Sequence, residues 1–242
     1  MKILMIDIGG THIKLMVTGH DECRKFPSGP DLTAAQMVRA VRKLTRDWTY
    51  HAITLGYPGV VADGRPASEP ANLGGGWVRY DYVRAFRKPL RIINDAAMQA
   101  LGSYEGGRML FLGLGTSTGS ALIVDDVIVP LEVGRLCLPD GSRFGERLKD
   151  LSRHKHGRKK WVKSALGAIE ILQALCQPDV TVLGGGNAHD IDPLPKGCRL
   201  RDNRHAFVGA SRLWPGAGML ARPCGTTWKI TLHKKRVRRK QA

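Results

Sequence analysis

Three short turns rich in glycine and small hydroxyl residues place the strongest constraint on how this chain folds. They span residues 7–11, 113–119 and 184–186, and each follows directly on an apolar stretch. Glycine allows φ > 0 and close backbone approach, so successive N–H groups can point at one anion. A single turn of this kind often only reverses the chain, but hairpin turns alone explain a set of three poorly. The set therefore favours phosphate-binding turns over plain hairpin turns.

The first turn lies between two apolar stretches, residues 2–8 and 13–18. Strand, glycine turn and strand form a hairpin, unlike the strand-turn-helix of a Rossmann or Walker unit. The remaining apolar periodicity predicts helices over 32–48, 96–104 and 161–175, and strands over 52–55, 90–93, 109–114, 120–124, 127–130 and 179–183. The pattern predicts an α/β protein in which both halves open with a glycine-turn hairpin.

Acidic residues stand at the ends of two of these strands. Asp7 precedes the first glycine turn, where it is either an Asx-turn residue or an acid that holds Mg²⁺, often through water. Asp95 follows the strand over 90–93 and would by default be a helix N-cap. A carboxylate there can also accept a proton from a substrate hydroxyl. Asn94 and Asp95 together offer the donor and acceptors that vicinal sugar hydroxyls require.

The net charge of +17, with a pI near 10.1, points to a polyanionic partner. Most of it comes from two segments: 147–163 has eight basic residues and one acid, and 222–242 has eight basic residues and no acid. The first, here called the basic block, forms either a solvated loop or one wall of a groove for a long anion. The second has no apolar periodicity at its end and is predicted to be a disordered tail, which either solubilises the protein or binds anions.

The five cysteines show no C-x-x-C spacing, which argues against a disulfide framework and a zinc site. Reduced thiols in a cytoplasm are expected. No apolar run reaches about 18 residues, and the first residues do not resemble a signal peptide, so no membrane association is expected.

Seven motifs occur in chain order. They are Asp7-x-Gly9-Gly10-Thr11-x-x-Lys14, Pro58-Gly59-Val60-Val61, Asn72-Leu73-Gly74-x-x-Trp77, Ile93-Asn94-Asp95-Ala96, Leu112-Gly113-Leu114-Gly115-Thr116-x-x-Gly119, Leu131-Glu132-Val133-Gly134 and Leu183-Gly184-Gly185-Gly186. The ordered set resembles the ROK sugar kinases, and among them is most similar to polyphosphate glucokinases. The resemblance covers roughly residues 1–190. It implies the α/β, actin-like ATPase/hexokinase (ribonuclease H-like) fold, with two domains and a central cleft.

The resemblance also implies a domain division. Residues 1–106 would form an N-terminal α/β domain with the first phosphate hairpin and the sugar-site residues. Residues 107–221 would form a C-terminal α/β domain with the second hairpin, and 222–242 the basic tail.

The roles of single residues follow from the resemblance in the same way. Asp95 would be the catalytic base on the sugar 6-hydroxyl, and Asp7 would lie near Mg²⁺. The sugar would be held or shaped by Asn72, Asn94 and Glu132 together with Asp95. The donor phosphates would be cradled by Gly9, Gly10, Thr11, Lys14, Gly113, Gly115 and Thr116. A nucleotide base would approach Gly184 and Gly185.

The implied activity is phosphoryl transfer from polyphosphate, ATP or both to the 6-hydroxyl of glucose or a related hexose. Mg²⁺ is the implied cofactor, structural zinc is absent as in polyphosphate glucokinases, and a homodimer is expected. Arg135 stands where the family has a histidine that helps bind sugar, and its permanent charge cannot mimic a neutral imidazole. The alternative is a non-catalytic kinase-like sugar sensor, or an anion or nucleic-acid binder that uses the tail. The retained Asp95 argues against loss of catalysis.

Overall fold

The computed structural model describes residues 1–138, 140–202, 204–216 and 218–232. The strands are, in chain order, β1 (Ile3–Ile8), β2 (His12–Val17), β3 (Arg24–Pro27), β4 (Ala52–Tyr57), β5 (Val61–Ala62), β6 (Arg65–Pro66), β7 (Leu90–Asn94), β8 (Met109–Leu114), β9 (Thr118–Val124), β10 (Val127–Leu131), β11 (Val180–Gly184), β12 (Cys198–Leu200), β13 (Met219–Cys224) and β14 (Thr227–Leu232). The helices are α1 (Ala34–Leu44), α2 (Tyr82–Phe86), α3 (Asp95–Ser103), α4 (Phe144–Leu148), α5 (Asp150–His156), α6 (Arg158–Cys176) and α7 (Arg204–Ser211), with short 3₁₀ turns at Val133–Arg135 and Ala188–Asp190.

The same strand arrangement occurs twice. In the first sheet β1, β2 and β3 form an antiparallel meander, and β4 and then β7 continue the sheet parallel to β1. In the second sheet β8, β9 and β10 form the meander, and β11 and β12 continue it parallel to β8. The glycine turns β1–β2 and β8–β9 therefore occupy equivalent positions. This confirms the predicted α/β fold with one glycine-turn hairpin in each half.

Two hydrophobic cores hold the sheets, and β8 contributes to both because successive side chains on a strand point to opposite faces. Met109 and Phe111 belong to the larger core with the first sheet, α1, α3 and α7, whereas Leu110 and Leu112 pack with α4 and α6. The chain leaves the second sheet after β12 and returns to the first. There Trp214 Nε1 donates to the buried Thr54 Oγ1 at 2.8 Å.

Helix α3 joins the two halves at the centre of the molecule. It begins directly after β7 of the first sheet and packs against β8, β9 and β10 of the second. Helix α7 crosses it at Gly102 and Gly209, where only the missing side chains permit contact between the helix backbones. The start of α3 is thus fixed relative to both sheets.

The prediction of a disordered tail from residue 222 is wrong for residues 222–232. They form the end of β13 and all of β14, and β14 pairs with β10, so the hairpin extends the second sheet to seven strands. Trp228 and Ile230 are buried on one face while Lys229 is exposed on the other, an alternation typical of a half-buried strand. Residues 233–242, the rest of the predicted tail, lie outside the described residues.

The basic block is helical rather than a loop. It includes the end of α4, all of α5 and the start of α6. The predicted domain limit at residues 106 and 107 falls between α3 and β8 and stays a prediction. No helix in the described ranges has both the length and the apolar character needed to cross a bilayer.

Candidate active site

The two glycine turns face each other across a cleft of about 390 Å³, within the range of small-molecule sites. Their tips meet where the hydroxyl oxygens of Thr11 and Thr116 are 2.9 Å apart. Most of the predicted site residues line this cleft. They are Asp7, Gly9, Gly10, Lys14, Asn72, Asn94, Asp95, Gly113, Gly115, Thr116, Glu132 and Gly185.

The first glycine turn is held in shape by its own backbone. The Gly9 N–H donates to His12 O at 3.1 Å, and the Ser28 hydroxyl donates to Gly9 O at 2.6 Å. A Cβ at Gly9 would lie 2.9 Å from His12 O, so this position requires glycine. The N–H groups of Gly10 and Thr11 donate to no described residue. Gly10 lines the cleft, so its N–H is available to an anion there. Thr11 does not line the cleft and lies at its edge, in contact with Thr116.

The second turn is built in a similar way. The Gly115 N–H donates to Ser117 O at 3.3 Å, and Gly115 O accepts from the Asp150 N–H at 2.8 Å at the start of α5. Within the described part of the chain, the N–H groups of Thr116 and Ser117 have no acceptor. The two turns thus present unpaired backbone donors and hydroxyls toward the same space, an arrangement that suits phosphate oxygens.

The third turn closes against the second. Gly185 has φ +84°, and a Cβ there would lie 2.2 Å from Leu114 O. The Asn187 N–H donates to the same carbonyl at 3.0 Å. Gly184 does not line the cleft, because it ends β11 beside the Phe111 ring, and Gly186 lines the cleft in its place. Gly184 stays a predicted nucleotide residue without a cleft contact.

Asn94, and not Asp95, is the N-cap of α3. Asn94 Oδ1 accepts from the Ala97 N–H at 3.0 Å, and Asn94 Nδ2 donates to Gly59 O at 3.1 Å. Asp95 is the first helical residue, and its Oδ1 accepts from the adjacent Ala96 N–H at 2.8 Å. The capping role is therefore filled by Asn94. Asp95 Oδ2 makes no hydrogen bond to a described residue and is left for the cleft.

The surroundings of Asp95 favour its protonated form. Burial raises the pKa of Asp95 to about 7, helped by the charges of Asp7 and Glu132 and opposed by the Ala96 N–H. Burial also raises the pKa of Asp7, against the lowering effect of Lys14, which pairs with it across β1 and β2. A carboxyl group that titrates near neutrality is suited to accept a proton at physiological pH.

Asp7 fits the predicted Mg²⁺ role. Its carboxylate is buried, lines the cleft and makes no hydrogen bond to a described residue. Among the residues described, no cluster of three or more His, Cys, Asp or Glu could hold a metal. Mg²⁺ usually needs only one or two carboxylates, with waters and substrate phosphates completing its shell. Asp7, whose charge reaches Asp95 and helps to raise the pKa of that residue, meets that requirement.

Glu132 and Arg135 lie at the open side of the cleft, where Glu132 directly precedes a 3₁₀ turn and Arg135 is the last residue of that turn. Arg135 Nε is 3.9 Å from Glu132 Oε2, and both side chains are exposed, so the pair is weak. The cleft therefore has a guanidinium group where the resemblance implies a histidine.

The loop with Asn72 depends on a residue that the sequence analysis missed. Glu69 accepts from the backbone N–H groups of Trp77, at 3.0 Å, and Val78, at 3.1 Å, and it lines the cleft. Gln99 was also missed, although its position one turn after Asp95 on α3 predicts the same orientation. Ser68 is another cleft residue that was missed, whereas Ser117 and Thr118 belong to the predicted turn over residues 113–119.

No protein-family model and no curated protein matches the sequence. Solved structures do match. An inorganic polyphosphate/ATP-glucomannokinase from Arthrobacter sp. strain KM is 24% identical with a TM-score of 0.74, over 86% of this chain and 96% of that one. A ROK family glucokinase from Streptomyces griseus, in complex with glucose and AMPPNP, is 17% identical with a TM-score of 0.69. The match covers 88% of this chain and 99% of that one.

A regulator has the same fold. A ROK family transcriptional regulator, a homolog of the E. coli MLC protein, is 15% identical with a TM-score of 0.62, over 86% of this chain and 76% of that one. At these identities the likeness concerns the fold. The strand arrangement, the facing glycine turns and these neighbours together show that the chain has the actin-like, hexokinase-type fold of the ROK sugar kinases.

Proposed function

We propose that this protein is a sugar kinase that transfers a phosphoryl group from polyphosphate or ATP to the 6-hydroxyl of glucose or a related hexose. The observation that carries the proposal is the position of Asp95. Its carboxyl group, with a pKa of about 7, opens into the same cleft as the unpaired N–H groups of both glycine turns. A base and a phosphate site in one cleft are what the transfer of a phosphoryl group to an alcohol needs.

The step balances with the groups present. Asp95 takes the proton of the sugar 6-hydroxyl while the 6-oxygen of the sugar forms a bond to the terminal phosphorus of the donor. The bond from that phosphorus to the bridging oxygen breaks, and ADP or the shortened polyphosphate leaves. The N–H groups of Gly10, Thr11, Thr116 and Ser117 would stabilise the charge on the transferred group. Mg²⁺ on the donor phosphates, held by Asp7 directly or through water, would supply further neutralisation.

The acceptor would lie on the side of the cleft formed by the first half of the chain. Asn72 would hold hydroxyls from that side, and Glu132, which lines the cleft from the second half of the chain, would hold hydroxyls from across the cleft. Asn94 contributes less than the sequence implies, because both of its polar atoms already bind backbone groups. Its remaining amide hydrogen is free to donate to a sugar oxygen.

Polyphosphate is the donor that the charge distribution favours. Helix α5 begins at Asp150, which is bonded to the second phosphate turn. Arg153 and Arg158 are paired with Asp190, whereas the exposed Lys155, Lys159 and Lys160 have no ion pair among the described residues. These lysines would follow a long anion leaving the cleft, as basic grooves follow nucleic-acid backbones. The Arthrobacter protein of similar fold is an inorganic polyphosphate/ATP-glucomannokinase.

The decisive experiment is Asp95→Asn with glucose and mannose as acceptors and ATP and polyphosphate as donors. We expect kcat to fall by about 10²–10⁴-fold, the usual contribution of a general base. Asn keeps the acceptor for the Ala96 N–H and removes a charge near Asp7, so stability should be at least that of the wild type. The exposed Asp21→Asn serves as the matched control.

Two results would contradict the proposal. Full activity in Asp95→Asn would exclude this residue as the base. Absence of turnover by the wild-type protein with every combination, together with retained sugar binding, would favour the non-catalytic sensor instead. That outcome is relevant because a transcriptional regulator has the same fold.

A further inference from the structure

The β13–β14 turn touches the first half of the chain at a point outside the cleft. The Asp63 N–H donates to Gly225 O at 2.8 Å, and the Gly225 N–H donates to Asp63 Oδ1 at 2.9 Å. A Cβ at Gly64 would lie only 3.7 Å from Pro223, so the two turns are in close contact. This pair of reciprocal hydrogen bonds joins residues 162 positions apart in the sequence.

Asp63 belongs to a hairpin whose two strands lead directly to the cleft. Asp63 and Gly64 form the turn between β5 and β6, with φ of 48° and 72°. On the β5 side the chain continues back to Gly59 and Val60, and on the β6 side forward to Ser68 and Glu69, all of which line the cleft.

The base of this hairpin is joined to the active-site helix. The Val60 N–H donates to Ser68 Oγ at 3.0 Å, and the Ala67 N–H donates to Val60 O at 2.8 Å. Gly59 O accepts from Asn94 Nδ2 at 3.1 Å, directly before Asp95. The hairpin is thus bonded to Asn94 at its base and to Gly225 at its tip.

We propose that Asp63 is a positioning residue for the acceptor side of the cleft. By bonding Gly225, it fixes the tip of the β5–β6 hairpin to the second sheet and so holds the cleft-lining residues 58–60 and 68–69 in place. A two-stranded hairpin of four strand residues has little stability by itself, so an external attachment sets its position. The inference rests on the proposed function only where it predicts a change in KM for sugar.

The test compares Asp63→Gly, Asp63→Asn and Asp125→Gly. Glycine removes the acceptor for the Gly225 N–H without a penalty at φ > 0, whereas asparagine keeps an acceptor and tolerates this conformation. Asp125 is the matched control, because it has φ 50° in the β9–β10 turn and makes no side-chain hydrogen bond to a described residue. Its replacement adds the same chain flexibility without breaking a bond.

Two readouts are measured: amide hydrogen exchange over residues 57–68, and KM for sugar and for donor. Loss of one hydrogen bond to a charged group predicts a roughly tenfold faster exchange in Asp63→Gly, and a KM for sugar about five- to tenfold higher, with KM for donor within about twofold. Asp63→Asn and Asp125→Gly should match the wild type in both.

Unchanged exchange in Asp63→Gly, or the same acceleration in Asp125→Gly, would overturn the proposal. An equal rise of KM for sugar and donor would also overturn it, because the effect would then be general. If the wild type phosphorylates no sugar, the proposed function fails while the exchange measurement still decides the role of Asp63.

Discussion

The crossing of α3 and α7 gives a stability prediction whose sign can be worked out from the structure. A Cβ on Gly102 would lie 1.8 Å from His205 O, and a Cβ on Gly209 would lie 1.8 Å from Met98 O. Real Cβ atoms stay beyond 3.0 Å, so either alanine would force the helices apart by more than 1 Å. The obstructing atoms belong to the backbone and cannot move aside as a flexible side chain would.

The size of the effect is a difference between two terms. Overpacking a close contact costs about 1–3 kcal/mol, and a backbone clash belongs at the upper end. Replacing a helical glycine by alanine returns about 1 kcal/mol through propensity. We therefore expect Gly102→Ala and Gly209→Ala to destabilise the protein by about 2 kcal/mol. For a chain of this size, that lowers Tm by roughly 4–8 °C.

Gly167→Ala provides the control. Gly167 lies in α6, and a Cβ there would meet nothing within 4 Å. Its replacement should gain about 0.5–1 kcal/mol and raise Tm by roughly 1–4 °C. Differential scanning calorimetry and urea unfolding of the three variants in one buffer measure the contrast. If Gly102→Ala or Gly209→Ala raises Tm as Gly167→Ala does, the crossing is looser than its geometry indicates.

Two further predictions concern the proposed activity. The pKa of Asp95 is raised to about 7, so kcat/KM for sugar should rise tenfold per pH unit below that value and level off above it. Because the folded state holds this proton more tightly than the unfolded chain, the free energy of unfolding should fall as the pH rises from about 4 to about 7. Asp95→Asn should lose that dependence. A profile of kcat/KM against pH that is flat through pH 7 would contradict the assignment of Asp95 as the base. Replacing Lys155, Lys159 and Lys160 by Gln should raise KM for long polyphosphate by roughly tenfold, because each lost contact with the donor costs about 0.5 kcal/mol of binding free energy. KM for ATP should stay nearly unchanged. The triple variant Lys2→Gln, Lys25→Gln, Lys43→Gln removes the same number of charges at exposed positions and is the control for net charge. Equal effects on both donors would contradict the groove.

Local sequence patterns were sufficient for much of the site. The apolar strands before the glycine turns and the small-residue helix after Asp95 are short-range features, since backbone sterics and strand periodicity act over a few residues. They predicted both hairpins, they placed every cleft glycine except Gly59 in one of the three glycine turns, and they located Asp7 and Asp95 at strand ends. The assignment of the N-cap to Asp95 instead of Asn94 was off by one residue, the usual uncertainty of helix ends.

Long-range pairing decided what the sequence alone did not. The excess of Arg and Lys after residue 222 predicts a disordered tail, because composition reports only the average polarity of a segment. Trp228 and Ile230 are nevertheless buried, because β14 pairs with β10. The crossing of Gly102 and Gly209 and the Asp63–Gly225 bonds join positions more than a hundred residues apart.

The sequence by itself therefore determined the chemistry available: glycine turns suited to phosphate, two carboxylates at strand ends and an excess of positive charge. The tertiary structure decided the environment of that chemistry. It buried Asp95 and brought the charges of Asp7 and Glu132 close to it, which together raise the pKa of Asp95. It also paired Arg153 and Arg158 with Asp190, while Lys155, Lys159 and Lys160 have no ion pair among the described residues. Both depend on distances between segments far apart in the chain, and electrostatic energies follow those distances, not the order of residues.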